Sequence, residues 1–390
     1  MDYGERALIA HKKWNGKLET ISKSPVKDRD ALSIAYTPGV AEPCKVIAKN
    51  PAEAYTYTMK ANTVAVVSDG SAVLGLGNIG PYAAMPVMEG KCVLFKEFGN
   101  VNAVPICLDT QDTEEIIQTV KRIAPAFGGI NLEDISAPRC FEIEERLNKM
   151  LDIPVFHDDQ HGTAIVVLAG IINALKVTEK KKEDCKVVVN GAGSAGVAIT
   201  KLLLKYGFLH ITMCDKEGII GKDYPNLNWM QQKMAEVTNL KNAHGTLADA
   251  LNGADIFIGV SAPNIVSPQM AASMNKDAIL FAMANPVPEI MPDAAKAAGA
   301  KVVGTGRSDF PNQVNNVVAF PGIFKGALEG RASEITEEMK LAAAEAIAGL
   351  VSSEELNEDF IMPQAFDPRV AEAVSNAVKA HIKGVVRTDG

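Results

Sequence analysis

Lys186-Val-Val-Val-Asn190-Gly191-Ala192-Gly193-Ser194-Ala195-Gly196 decides how the second half of this chain is read. The β-branched run predicts a short buried strand over 186–190, and a Gly-x-Gly-x-x-Gly pattern follows at once. An apolar stretch without proline predicts a helix over 194–206, ended by Gly207. Strand, glycine turn and helix in that order suit a dinucleotide. The glycines let the backbone turn tightly and approach a pyrophosphate, and the helix N-terminus favours its charge. Asp215 stands nineteen residues beyond Gly196, at the end of the next predicted strand (210–214), where an acid can accept hydrogen bonds from ribose hydroxyls. The reading is an NAD(P) site made by Gly191, Ala192, Gly193, Ser194, Ala195, Gly196, Asp215 and Lys216. Asp215 repels a 2′-phosphate and favours NAD. Lys216 and Lys222 offset that repulsion and keep NADP open.

The pattern recurs at Gly75, Gly77 and Gly80, but Pro81 and Pro86 follow and are expected to break any long helix. Those glycines are read as bringing the backbone close to a substrate or another loop. Strands are predicted at 63–67, 91–95, 103–108, 130–135 and 153–156, with helices at 114–124 and 141–151 between them. Strands at 256–260 and 279–283 and helices at 332–350 and 368–383 continue the alternation. The first sixty residues read as helical and irregular, punctuated by Pro25, Pro38, Pro43 and Pro51. Such alternation predicts an α/β protein with mainly parallel sheets. Residues 1–160 are expected to form an α/β domain for substrate and metal. Residues 161–390 form a Rossmann-like, doubly wound NAD(P) domain whose C-terminal helices pack back.

At 390 residues, 47% apolar and 22% charged, the chain has the composition of a two-domain globular protein. A net charge of −8 and a pI near 5.4 argue against a nucleic-acid partner. Six cysteines without a Cys-x-x-Cys pair indicate reduced thiols. The N-terminus lacks an apolar signal core, and the longest uncharged apolar run, 163–175, is shorter than the ~20 residues of a membrane span. The expected location is the cytoplasm, away from membranes.

Residues 154–163, Pro-Val-Phe-His-Asp-Asp-Gln-His-Gly-Thr, place two carboxylates between a short apolar run and a long apolar helix. Glu133 and Asp134 form a second acidic pair twenty-five residues upstream. Acids gathered at two strand ends repel unless a cation neutralises them, and hard oxygen ligands suit Mg²⁺ or Mn²⁺. Other residues are ambiguous alone. Tyr36, in Tyr-Thr-Pro-Gly-Val-Ala, is a presented hydroxyl or a packed ring. Lys91 is a snorkelling edge residue or a buried amine of lowered pKa. Asn285, Asn315 and Asn316 are site residues or turn formers.

Taken together, Y-T-P-G-V-A, S-D-G-S-A-V-L-G-L-G-N-I-G, M-E-G-K, E-D-I-S-A-P, F-H-D-D-Q-H-G-T-A, N-G-A-G-S-A-G and Q-V-N-N resemble the malic enzymes, in particular the short bacterial type. The resemblance runs from about residue 8 to residue 330 in the family's order. It implies oxidative decarboxylation of L-malate to pyruvate and CO₂ with reduction of NAD or NADP, dependent on Mn²⁺ or Mg²⁺, in a homodimer. It implies metal ligation by Glu133, Asp134 and Asp159. It makes Lys91 the general base with Asp158 as its ion-pair partner, and Tyr36 the general acid. Asn285 and Asn316 become substrate hydrogen-bonders near the nicotinamide, with Asn315 adjacent. The family's larger members carry an arginine for the malate carboxylate in a loop that here reads Ser68-Asp-Gly-Ser71-Ala72. Ser71, amides near Gly75 or a partner subunit are expected to replace it. The alternatives are a malolactic-type or oxaloacetate-decarboxylating enzyme on the same site, and a non-catalytic NAD(P) sensor.

Overall fold

Val64, Ala65, Val66 and Val67 have no exposed surface, because the sheet they build is covered on both faces. The computed structural model describes residues 2–73 and 75–382. Leu74 in the first glycine loop, the end of the expected 368–383 helix and the last residues of the second domain lie outside them. Strand β1 (Thr63–Ser68) lies between β2 (Asn102–Cys107) and β3 (Gly129–Leu132), and β4 (Val155–His157) flanks β3. All pairs are parallel, with Val66 opposite both Pro105 and Asn131.

The second sheet contains β5 (Lys186–Asn190), β6 (His210–Asp215), β7 (Gly218–Ile219), β8 (Ile256–Gly259), β9 (Ala278–Ala282) and β10 (Ala300–Thr305). Its order is β10-β9-β8-β5-β6-β7, parallel except for the β6–β7 pair. The chain winds one way from β5 to β6 and the other way through β8 to β10. The crevice between β5 and β8 is therefore the switch point of a doubly wound fold, where such sheets bind ligands.

One predicted strand is wrong. Lys91–Phe95 lies within a helix, Gly80–Gly99, and neither Pro81 nor Pro86 prevents it. Pro81 falls in the first turn, where backbone N–H groups have no intrahelical partner. Pro86 forfeits one bond, but the buried face of Ala84, Met88, Cys92 and Phe95 repeats with helical spacing and packs on the sheet. Lys91 shares that buried face. In the first glycine loop Gly70, Gly75, Gly77 and Gly80 all have positive φ; a Cβ on Gly75 would sit 3.3 Å from the Asn285 carbonyl, whereas one on Gly77 or Gly80 would meet nothing within 4 Å.

The helix Asp158–Thr178 is long and apolar enough to span a membrane by length and composition, yet most of it is buried in the core. The expected domain boundary at 160/161 falls in its first turn. Asn173 on this helix donates to the Ala348 and Ile361 carbonyls, both at 2.9 Å, tying down the helix Glu337–Gly349. The helix Phe320–Glu329 returns to the N-terminal unit, with Phe320 and Phe324 edge-on to Phe95 at 4.7 and 5.3 Å. The last described helix, Arg369–Ala380, packs against it.

Candidate active site

The ends of β3 and β4 aim two acidic pairs at one point, because adjacent parallel strands end side by side. Glu133, Asp134 and Asp159 each bring a carboxylate oxygen within 4.8 Å of the others. The backbone N–H of Asp134, a residue held at φ 54°, donates to Asp159 Oδ2 at 2.7 Å. Asp134 Oδ2 is buried without a hydrogen-bond partner. Burial and the neighbouring acids push Glu133 up to about 7 and Asp134 up to about 9. An all-oxygen set with an orphaned carboxylate oxygen fits a hard divalent cation.

Lys91 enters the cluster from the Gly80–Gly99 helix. Its Nζ lies 2.9 Å from Glu133 Oε1, contacts Asp158 Oδ2, and sits 4.0 Å from the centre of the Phe320 ring. Burial alone would depress this amine, but Asp158 and Glu133 outweigh it and hold the ammonium above its ordinary value. Neither sequence alternative for Lys91 holds: it is no snorkelling edge residue but buried in a helix, and its pKa is raised, not lowered, because two carboxylates face the amine. Asp158 has no exposed surface, and its Oδ2 also accepts from Asn316 Nδ2 at 2.9 Å. Thr163 braces Asn316 from the same helix.

Other predicted residues are placed differently. The Asn315 side chain accepts from the Val317 N–H and caps the turn that presents Asn316. Ser71 is committed within the chain: its hydroxyl donates to Asp69 at 2.6 Å and accepts from the Ser136 N–H and Arg139. Its role is to hold the Asp69–Ser71 loop against Arg139, which leaves no free hydroxyl for a carboxylate. Asn285 lies beyond β9, against Gly75 and Gly306, where the two units meet. No hydrogen bond joins Tyr36 to the cluster. It ends the Arg29–Ala35 helix with 68% of its surface exposed.

Sequence reasoning missed the supports behind the acids. His157 is fully buried with Nε2 3.2 Å from Asp159 Oδ2. Burial alone would keep it neutral, but Asp159 raises it well above its ordinary value. Glu144, from the helix Arg139–Met150, accepts from the His157 N–H at 2.8 Å, Gln160 at 3.2 Å and His161 at 2.9 Å. The Asp158–Thr178 helix has no side-chain cap of its own, so Glu144 serves its positive end from outside. His157 lay in plain view beside Asp158. Glu144 had no local signal.

The glycine turn fits a dinucleotide. A Cβ on Gly196 would sit 1.7 Å from the Gly191 carbonyl, and one on Gly191, at φ 116°, would sit 2.5 Å from the Val260 carbonyl. A Cβ on Gly193 meets nothing within 4 Å, and no side chain caps the Ser194–Tyr206 helix. Ala192, Ser194 and Ala195 complete this open turn. Asp215 closes β6, next to Cys214, whose carbonyl accepts from the Gly191 N–H. Lys216 is exposed beside Glu217.

Residues 15–148 match the model of the malic enzyme N-terminal domain, and residues 160–383 that of the malic enzyme NAD binding domain. The chain is 60% identical to the NAD-dependent malic enzyme of Geobacillus stearothermophilus over 393 aligned positions, covering all of this chain and 81% of that protein. It is 59% identical to the bifunctional malic/malolactic enzyme of Bacillus subtilis over 379, covering 97% and 92%. The crystal structure of the NAD-dependent malic enzyme of Thermotoga maritima superposes with a TM-score of 0.93 at 53% identity, covering 96% of this chain and 98% of that one.

Proposed function

The chain belongs to the malic enzyme family, and on that premise we propose which of its residues perform the reaction. That reaction is oxidative decarboxylation of malate to pyruvate and CO₂ with reduction of NAD(P)⁺. The observation that carries the assignment is the buried Lys91–Asp158 pair set beside the three carboxylates.

Glu133, Asp134 and Asp159 hold Mn²⁺ or Mg²⁺. When bound, the ion supplies Lewis acidity to the substrate's hydroxyl and carbonyl oxygens. Lys91 takes the proton of the C2 hydroxyl. The amine is an ammonium here, so it must first shed a proton, and Asp158 and Glu133 are the carboxylates in contact with it. Asn316 keeps Asp158 in place, and Asn285 faces the substrate from the nucleotide side. The 191–196 turn would carry the dinucleotide, which would supply the hydride acceptor when bound, and Asp215 would favour NAD. Residues 1–160 supply substrate and metal groups, and 161–390 supply the cofactor site.

Tyr36 is the general acid in this reading, delivered across a homodimer. Its exposure supports that, as does the exposed apolar surface of the N-terminal segment that carries it: Leu8, Ile21, Leu32 and Ile34 are all exposed. Lys91→Ala and Tyr36→Phe chains, each inactive alone, are expected to regain turnover when co-assembled. No recovery would confine Tyr36 to its own chain. We place the enzyme in the cytoplasm, consistent with six unpaired cysteines, acting on a small acid and not on nucleic acid or membrane.

The test is the initial rate of nicotinamide reduction with L-malate and Mn²⁺, with NAD⁺ and NADP⁺ in parallel, an EDTA control and a final pyruvate assay. EDTA-sensitive reduction matched by pyruvate supports the assignment. Malate loss without net reduction favours the malolactic reading, which the likeness to the Bacillus subtilis enzyme keeps in view.

A further inference from the structure

Asp215 does not stand free at the end of β6. Its Oδ1 accepts from the Glu217 backbone N–H at 2.9 Å and from the hydroxyl of Tyr224, nine residues on. Two donors on one oxygen fix the carboxylate plane and leave Oδ2 as the open acceptor. The Tyr224 proton is committed to Asp215, so its own oxygen keeps its lone pairs as an acceptor. A surface of acceptors suits a diol, which brings two O–H donors, and disfavours a phosphate, which brings only negative charge. Lys216 and Lys222, both exposed, are the cations nearby in sequence that could receive a phosphate if that carboxylate swung away.

We propose that Tyr224 is a specificity-determining positioning residue, locking Asp215 in the orientation that accepts the adenosine ribose hydroxyls and turns away a 2′-phosphate. This rests on the reading of Asp215 as the ribose ligand. Tyr224 acts through Asp215 and touches no reacting atom. Burial and the adjacent carboxylate both push the Tyr224 hydroxyl above its ordinary value, so it stays a donor across the working pH range. A tyrosine needed only for packing would affect both cofactors alike.

The experiment measures NADH and NADPH dissociation constants by fluorescence titration for the parent, Tyr224→Phe, Asp215→Ala and the double variant, with thermal melts as a check on folding. Phenylalanine keeps the ring and removes only the hydroxyl. The NADH-over-NADPH preference is expected to fall on the order of tenfold in Tyr224→Phe, the size of one charge-assisted hydrogen bond. Tyr224→Phe is expected to have no further effect on the preference in the Asp215→Ala background. A preference unchanged by Tyr224→Phe while Asp215→Ala lowers it overturns the inference and leaves the ribose reading intact. So does an equal weakening of both cofactors in Tyr224→Phe. A preference unchanged in Asp215→Ala itself overturns the ribose reading, and the inference with it.

Discussion

Gly162→Ala should damage the active site while improving the helix that carries it. Gly162 lies one turn after Asp158 in the helix Asp158–Thr178, and a helical Cβ points back toward the N-terminus. The new methyl would sit 1.8 Å from Asp158 Oδ1 and 2.7 Å from its Cγ. A carboxylate end can rotate, so the clash is relieved by moving Asp158 off Lys91 and Asn316. Alanine in a helix interior gains about 1 kcal/mol over glycine. Breaking one partner of a buried ion pair costs ~3–5 kcal/mol. Glu133 stays 2.9 Å from the ammonium and limits that loss, so the net destabilisation is about 2 kcal/mol, toward the low end of the difference. Urea unfolding gives the stability, and malate-dependent nicotinamide reduction gives the turnover, which should fall at least a hundredfold, about 2.7 kcal/mol in the barrier. Parental turnover with unchanged or raised stability would refute the argument, because Asp158 would then need neither its position nor its partner. Higher stability with collapsed turnover would retain the positioning and reject the ion-pair energy.

Lys91→Ala should reduce turnover strongly while NADH binding, followed by fluorescence, stays intact, since the amine lies on the first unit. A collapse of cofactor affinity would make Lys91 structural. Asp159→Ala should weaken Mn²⁺ binding, read by electron paramagnetic resonance, and abolish metal-dependent turnover; normal activity at low Mn²⁺ would remove it from the ligand set. Glu144 should govern acid stability. Burial alone would raise it, but His161, Lys340 and His157 outweigh burial and hold it at about 2, below its ordinary 4.5. A carboxylate lowered in the folded state contributes stability above the unfolded value, so that contribution is lost as pH falls from about 4.5 toward 2, in all about 3 kcal/mol. Glu144→Gln should flatten that acid limb of the stability profile, and an unchanged slope would show that the carboxylate is not what titrates there.

Much of this protein is written locally. The 186–215 segment specifies its own strand, turn and helix because each step obeys a short-range rule: β-branched residues pleat, glycine alone fits a turn where a Cβ would strike the Gly191 or Val260 carbonyl, and an apolar run without proline continues as helix. The acidic cluster was legible for a similar reason, since charge repelling charge at two strand ends is visible in sequence. Residues 91–95 were misread because a five-residue apolar run has no period of its own. Only the longer spacing 84–88–92–95, together with a sheet to bury it, makes the helix. Lys91 meets Asp158 and Glu133 only once a helix packs over two strand ends, so its raised pKa had no expression in the chain as written. Glu144 capping a helix thirteen residues away and Asn316 reaching Asp158 across 158 positions are likewise products of packing. Backbone geometry is decided between neighbours in sequence. Electrostatic environment is decided between neighbours in space, which is why the sequence by itself determined the site's ingredients and only the tertiary structure decided their protonation and partners.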